Sequence, residues 1–448
     1  MFGTGEMLAL FAIMLLMVFA GVHVAVALGA GAVAGIYMMQ GDMGVVSNFI
    51  AQTAYEALRD YVFAVIPLFM LMGDFLAKCG AARDLFALIN RLMRRLPGRL
   101  AIATVLANAV FAFVTGVSIA AAAAFSRIAY PEMKRYGYER KFSLGCIAGS
   151  ACLGMLIPPS VLMIVWGVLT EQAIGKIFIA GILPGFVLVA FYCAYILGVA
   201  FLQPERVGAG KRPAGEAPEV AMTDAEFRVV LMSTLMVLLL VAATLGGIWL
   251  GFFTPTEGAG VGAALALLLA IWKGMRAKEL FEVVLAVGRT SAPLLVLLFC
   301  AQLYSRVLSM TGVTSAAKDF FIASGLGPYE VLAIMVAIWF VLGCLIDSIS
   351  IILLTVPVFA PVAMALGFDP LAFAILGILA IETGLLTPPF GILVFTVKAA
   401  VPQEGTVGEI FRGAIPYWLA LFAVIVVIAA FPQIATWLPT LGTTIAVK

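Results

Sequence analysis

The chain has 448 residues, 64% of them hydrophobic and 11% charged, with 26 Lys and Arg against 24 Asp and Glu. A soluble globular chain carries about 25% charged residues, so the composition excludes an ordinary soluble protein and gives a polytopic membrane protein. The net charge of +2 carries no nucleic-acid footprint. A single histidine, His23, excludes a His-based metal site, and the six cysteines lie in or beside apolar runs with no CxxC pair, as small buried hydrophobes do.

In chain order, the N-terminus has no basic stretch before its apolar run, so it reads as a first membrane segment and not a cleaved signal peptide. A span needs about 20 apolar residues. Spans are predicted near 6–20, 22–39, 61–79, 142–170 and 175–202, then 228–249, 254–272, 290–311, 371–397 and 413–438. Between the two sets, the polar stretch 203–227 reads as an exposed linker. Its GAGKR fragment lacks the upstream glycine and following Ser or Thr of a phosphate loop, so any transport must run on an ion gradient. Two further apolar stretches, 100–130 and 331–360, are interrupted at Thr115-Gly116-Val117-Ser118 and Asp347-Ser348-Ile349-Ser350. Each reads as a helix, a tight polar tip and a returning helix, a re-entrant hairpin allowed where protein surrounds it. Two spans carry a Pro-Pro break, Pro158-Pro159 in GMLIPPS and Pro388-Pro389 in GLLTPPF. Proline removes a backbone donor and clashes with the preceding turn, so each pair breaks its helix.

The halves align at an offset of 230: Ser118 with Ser348, Pro131 with Pro361, Gly137 with Gly367, Gly154 with Gly384, and one Pro-Pro pair with the other. The loop 131–141 carries Lys134, Arg135, Arg140 and Lys141, whereas 361–371 has no Lys or Arg. Similarly, 83–99 holds five arginines and 313–330 only Lys318. Cytoplasmic loops collect Lys and Arg, so equivalent loops face opposite sides and the repeats are inverted. The expected fold is an all-α polytopic membrane protein with two inverted repeats, 1–202 and 228–448, each of five spans plus one hairpin. The linker is expected to be cytoplasmic and both termini periplasmic. The stretches 83–99 and 273–289 mix cations with Leu, Phe and Val and read as amphipathic surface helices.

Broken helices and hairpin tips offer carbonyl oxygens at C-terminal ends and partial positive charge at N-terminal ends. A hard monovalent cation wants oxygen ligands. Oxygen-bearing side chains cluster there: Thr115, Ser118, Ser150, Asp347, Ser348, Ser350, Thr383 and Thr387, with Ser160 after the first break. Gly116, Gly149, Gly154, Gly343 and Gly384 let backbone carbonyls approach. Such a site holds sodium at both ends of an anionic substrate and suits a carboxylate better than a cationic amine. Asp347 reads either as a cation-site or tip-organising residue or as a helix cap; Glu382 reads either as a protonated acid or as the partner of a neighbouring donor. His23 reads as a packed or interfacial histidine, and Asp74 and Glu257 as caps or subunit contacts. Arg127 either snorkels to the cytoplasmic surface or meets a substrate carboxylate.

The stretches YGYERKFSLGCIAGSACLGMLIPPSVLMIVWG (136–167), GFFTPTEGAG (251–260), GCLIDSISIILLTVPVFAPV (343–362) and IETGLLTPPFGILVF (381–395), in that order, carry a resemblance over nearly the whole chain. The sequence resembles the large membrane subunit of tripartite ATP-independent periplasmic (TRAP) transporters, of the ion-transporter superfamily. The resemblance implies sodium-driven uptake of organic acids by an elevator mechanism, in the bacterial inner membrane. It also implies a small membrane partner of about four helices and a periplasmic substrate-binding protein. Family sodium positions map onto Thr115, Gly116 and Ser118 with Gly149, Ser150 and Gly154, then onto Gly343, Asp347 and Ser348 with Thr383, Gly384 and Thr387. Two residues depart from the family pattern: Val117 replaces a hydroxyl residue of the first tip, and His23 replaces a proline. A self-sufficient sodium–dicarboxylate symporter is the alternative within the superfamily; a channel or intramembrane enzyme is the alternative from another class. No cofactor is expected beyond sodium as coupling ion.

Overall fold

The computed structural model describes residues 4–208 and 223–446, so the middle of the predicted linker, 209–222, lies outside the described residues. Apart from an isolated antiparallel bridge between Tyr138 and Val207, the described residues form helices and their connections. Eight of these helices are long and apolar enough to cross a membrane, from Tyr61–Lys78 to Val407–Ala430. Val24–Gln40, Arg99–Thr115, Pro328–Gly343 and Pro370–Gly384 are apolar but shorter. The chain is a multi-pass membrane protein.

Both predicted hairpins form. Hairpin 1 pairs Arg99–Thr115 with Ser118–Arg135, and hairpin 2 pairs Pro328–Gly343 with Ser348–Ala365. Both predicted broken helices form too. The first runs Arg140–Ala151, Leu153–Leu156 and, after the prolines, Val161–Thr170; the second runs Pro370–Gly384 and then Ile392–Ala400. Burial ranks the helices. The most apolar window of Arg140–Thr170 is 89% buried, against 28% for Ala277–Thr311, so the broken helix is central and the long helix peripheral. The core between the halves is aromatic: Trp166, Trp339 and Phe373 join the first broken helix, hairpin 2 and the second broken helix, with ring centroids 5.3–5.9 Å apart.

Several boundaries differ from expectation. No separate surface helix covers 273–289. Gly274, at φ +87°, follows the preceding helix, and from Ala277 one helix of 35 residues continues to Thr311. At 1.5 Å per residue it is about 52 Å long, well beyond a hydrocarbon core of about 30 Å. Its first turns, with Lys278, Glu279 and Glu282, therefore reach past the predicted span 290–311. The predicted surface helix 83–99 shortens to Ala81–Leu92. Helices Met43–Arg59 and Val313–Ala323 have no counterpart in the predicted spans, and Val407–Ala430 ends before Pro432, where a new helix Gln433–Ala446 follows.

Ion pairs tie the basic loops to the second half of the chain. Lys78 Nζ meets Glu282 Oε2 at 2.8 Å, and Lys273 pairs with Asp84. Arg140 Nη2 meets Glu409 Oε1 at 2.8 Å, and Lys134 pairs with Glu404. The Lys134 ammonium and then the Tyr130 hydroxyl, both donating to Glu404, hold its carboxyl below the usual carboxylate range. Between these pairs, the first broken helix packs on Val407–Ala430 with backbone against backbone. A Cβ at Gly413 would lie 2.2 Å from the Lys141 carbonyl oxygen, and one at Gly145 would lie 2.2 Å from the Gly413 carbonyl carbon. Overpacking a tight core usually costs about 1–3 kcal/mol. Gly413→Leu should exceed that and lower the thermal unfolding midpoint and monodisperse yield. Gly198→Ala, with nothing within 4 Å of its added Cβ, should leave both unchanged.

Candidate functional site

Hairpin 1 turns where Arg99–Thr115 ends on Gly116, whose φ of +59° favours glycine. Val117 is extended, and Ser118 opens the second limb. The tip lies directly on the first break. A side chain at Gly116 would place its Cβ 2.3 Å from the Pro159 carbonyl oxygen, and the Gly116 carbonyl accepts from Val161 N–H at 3.3 Å. A Cβ at Gly154 would lie 3.0 Å from Ser118 N. Pro158-Pro159 is a cis pair, and Ser160 Oγ caps the next helix by accepting from Met163 N–H at 3.5 Å. The helix ends at this break are thus met by the hairpin backbone.

The second tip meets the second break in the same way. A Cβ at Gly384 would lie 2.5 Å from Gly343 Cα. The Cys344 carbonyl accepts from Phe390 N–H at 3.3 Å, and Cys344 Sγ lies 2.8 Å from Thr387 Oγ1. Asp347 caps Ser348–Ala365: one carboxylate oxygen accepts from Ser350 N–H at 3.0 Å, the other from Ser350 Oγ–H at 2.5 Å. Of its two readings, this geometry displays the helix cap. The breaks differ in access. Pro158, Pro159 and Ser160 are buried, whereas the cis pair Pro388-Pro389 and Phe390 are exposed.

Glu382 ties the two tips together. It lies on Pro370–Gly384 and is 1% exposed. Ser118 Oγ–H donates to its Oε2 at 2.7 Å and Ser348 Oγ–H to its Oε1 at 3.3 Å. Cys152, 230 residues earlier, places its Sγ 3.7 Å from the Glu382 carbonyl oxygen. The sequence shows an acid in an apolar run; it cannot show that the tip serines of both hairpins are its donors.

The remaining candidates are satisfied locally. Thr115, Thr383 and Thr387 hydroxyls donate to the Phe111, Leu379 and Gly384 carbonyls at 3.1, 2.7 and 2.8 Å. Ser150 Oγ accepts from Asn108 Nδ2 at 2.6 Å and donates to the Ile147 carbonyl at 3.4 Å. Asn108 Oδ1 is buried without a partner. Asn108 is absent from the sequence-based set, because a lone amide inside an apolar hairpin limb carries no spacing signal. The space a Cβ would take at Gly149 is filled by the Tyr417 ring, 2.2 Å away, so this glycine serves close packing. Further out, His23 Nδ1 caps Val24–Gln40 from Ala25 N–H at 3.3 Å, and Glu257 forms a capping box with Thr254. Arg127 and Asp74 are exposed.

Removing one partner of a buried hydrogen bond costs about 1–3 kcal/mol per group left unsatisfied. Glu382→Ala orphans two serine hydroxyls at once, so it should lower thermal stability and speed amide hydrogen exchange at both tips, 115–118 and 347–350. Glu382→Gln keeps an acceptor and the side-chain size and should restore most of the protection. Equal exchange at both tips in all three proteins would show that Glu382 does not hold them.

Residues 11–434 match the family model described as "Tripartite ATP-independent periplasmic transporter, DctM component". The chain is similar to the C4-dicarboxylate TRAP transporter large permease protein DctM of Pseudomonas aeruginosa, at 33% identity over 87% of this chain and 89% of that one. It is similar to the ectoine/5-hydroxyectoine large permease protein UehC of Ruegeria pomeroyi, at 30% over 97% and 98%. It is also similar to the sialic acid large permease protein SiaM of Vibrio cholerae, at 27% over 88% and 90%. Among solved structures, the YdaH transporter of Alcanivorax borkumensis superposes with a TM-score of 0.58 at 14% identity, covering 88% of each chain, a likeness of fold alone. The chain belongs to the family of large permease subunits of tripartite ATP-independent periplasmic transporters.

Proposed function

We propose that this chain is the sodium-coupled permease of an importer for organic acid anions, with the hairpins and broken helices moving as one body against the remaining spans. The convergence of both hairpin tips on both helix breaks, clasped by Glu382, is the observation that carries this reading. The hydroxyl chemistry supports it. Thr115, Thr383 and Thr387 have their protons committed to carbonyls, and Ser118 and Ser348 have theirs committed to Glu382. A hydroxyl whose proton is directed away offers its lone pairs, and oxygen lone pairs are what a hard cation accepts.

Element bounds support the inverted-repeat reading. Ser118–Arg135 and Ser348–Ala365 are both 18 residues at an offset of 230, and Val24–Gln40 and Pro255–Trp272 follow nearly the same offset. Ion pairs join the segment 78–84 to 273–282, and Lys134 to Glu404; with the Lys and Arg bias of these loops, this supports a cytoplasmic rim and periplasmic termini. The relatives are named for C4-dicarboxylates, ectoines and sialic acid, compounds that share a carboxylate. The chain would take its anion from a periplasmic binding protein and work beside a small four-helix subunit in the inner membrane. Inward cation movement is favoured by about 2.3 kcal/mol per charge per 100 mV, so more than one sodium is needed to bring in a dianion with net positive charge.

Uptake into liposomes containing the chain, its small subunit and its binding protein should require a sodium gradient. Asp347→Ala or Ser118→Ala should raise the sodium concentration for half-maximal uptake about tenfold, near 1.4 kcal/mol, without loss of membrane insertion. Unaltered sodium activation in both variants would sink the site assignment. Uptake without the binding protein would favour the self-sufficient symporter, and labelling that places Lys134 and Asp369 on one face would sink the inversion.

A further inference from the structure

A cavity of about 550 Å³ opens beside hairpin 1, where the start of the basic segment 83–99 meets Lys273. Lys78, Arg83, Arg127 and Lys273 line it against a single carboxylate, Asp84. Two of the four cations are already engaged: Lys273 pairs with Asp84, and Lys78 with Glu282. Arg83 and Arg127 are exposed and make no hydrogen bond or ion pair among the described residues. They come from different elements, Ala81–Leu92 and the second limb of hairpin 1. Like charges brought into one cavity repel unless an anion lies between them. A snorkelling arginine reaches along an open lipid face to the headgroups; this cavity is instead closed on the hairpin side by Phe111, Ala124 and Ile128. Its volume lies in the range of small-molecule sites, about 300–1,000 Å³, and a guanidinium fork matches a carboxylate with two parallel hydrogen bonds.

We propose that this cavity is a second binding site for a small carboxylate anion, occupied by the transported acid after it leaves the helix breaks for the cytoplasm, with Arg83 and Arg127 as its two forks. Arg127 follows Ser118 by nine residues on one helix, about 14 Å along its axis, so the cavity stands between the tip and the basic rim. The assignment to an exit route rests on the orientation proposed above; the carboxylate chemistry does not.

The test is arginine modification by phenylglyoxal on the full chain in sealed membrane vesicles of either orientation, with Arg83 and Arg127 followed by mass spectrometry. Saturating succinate at the cytoplasmic face should slow modification of both about tenfold, sodium chloride of equal ionic strength should not, and Arg83→Gln should weaken the protection of Arg127. Equal slowing by chloride would reduce the effect to screening and overturn the site. Slowing that follows anionic lipid content whether or not succinate is present would overturn it in favour of a headgroup contact. Protection only from the periplasmic face would uphold the carboxylate site and overturn the orientation. Because labelling reads binding alone, sodium-independent uptake would sink the proposed function and leave this result standing.

Discussion

A helix interrupted inside hydrocarbon exposes backbone donors and acceptors that only protein or enclosed water can meet. The rest of this structure depends on how that demand is satisfied. Each Pro-Pro break is met by a hairpin tip brought to backbone distance, Gly116 on Pro159 and Gly343 on Gly384. The two tips are then fastened through one carboxylate, since Ser118 and Ser348 both donate to Glu382. Four interrupted elements become one polar centre inside a molecule that is otherwise apolar there.

Much of this was legible in the sequence, for identifiable reasons. Pro-Pro pairs and polar tips inside apolar runs have few physical explanations, so both hairpins and both broken helices were predicted within a few residues of where they form. Recurrence at a fixed offset pointed to the same pairings. Three features were not legible. The 35-residue helix Ala277–Thr311 reads as a surface segment plus a span because its charges end where its apolar run begins, and a helix can continue across that change. Glu382 was visible as a costly buried acid, but its donors lie 264 and 34 residues away, and no local pattern selects them. Gly149 was legible as a place of close approach, but that the Tyr417 ring is what lies against it was not.

Chemical similarity between the breaks does not extend to their surroundings. The prolines of the first are buried and those of the second exposed. Clefts at the surface differ in the same spirit. One of about 740 Å³ is lined by Asp60, Glu171 and Glu257 with Lys176 as its cation, whereas the cavity at Arg83 and Arg127 has the opposite balance. Clefts lined by one sign of charge concentrate counter-ions. A cation and an anion approaching this molecule thus meet differently charged surfaces.

Ion pairs at the basic rim run between the segments before and after the linker: Lys134 with Glu404, Arg140 with Glu409, Lys78 with Glu282. Together with the clasp at Glu382, they mean that neither segment contains a complete centre of its own. The segment before the linker brings Ser118 without its carboxylate, and the segment after it holds Glu382 with Ser348 but short of its second donor, so the centre closes only when both are present.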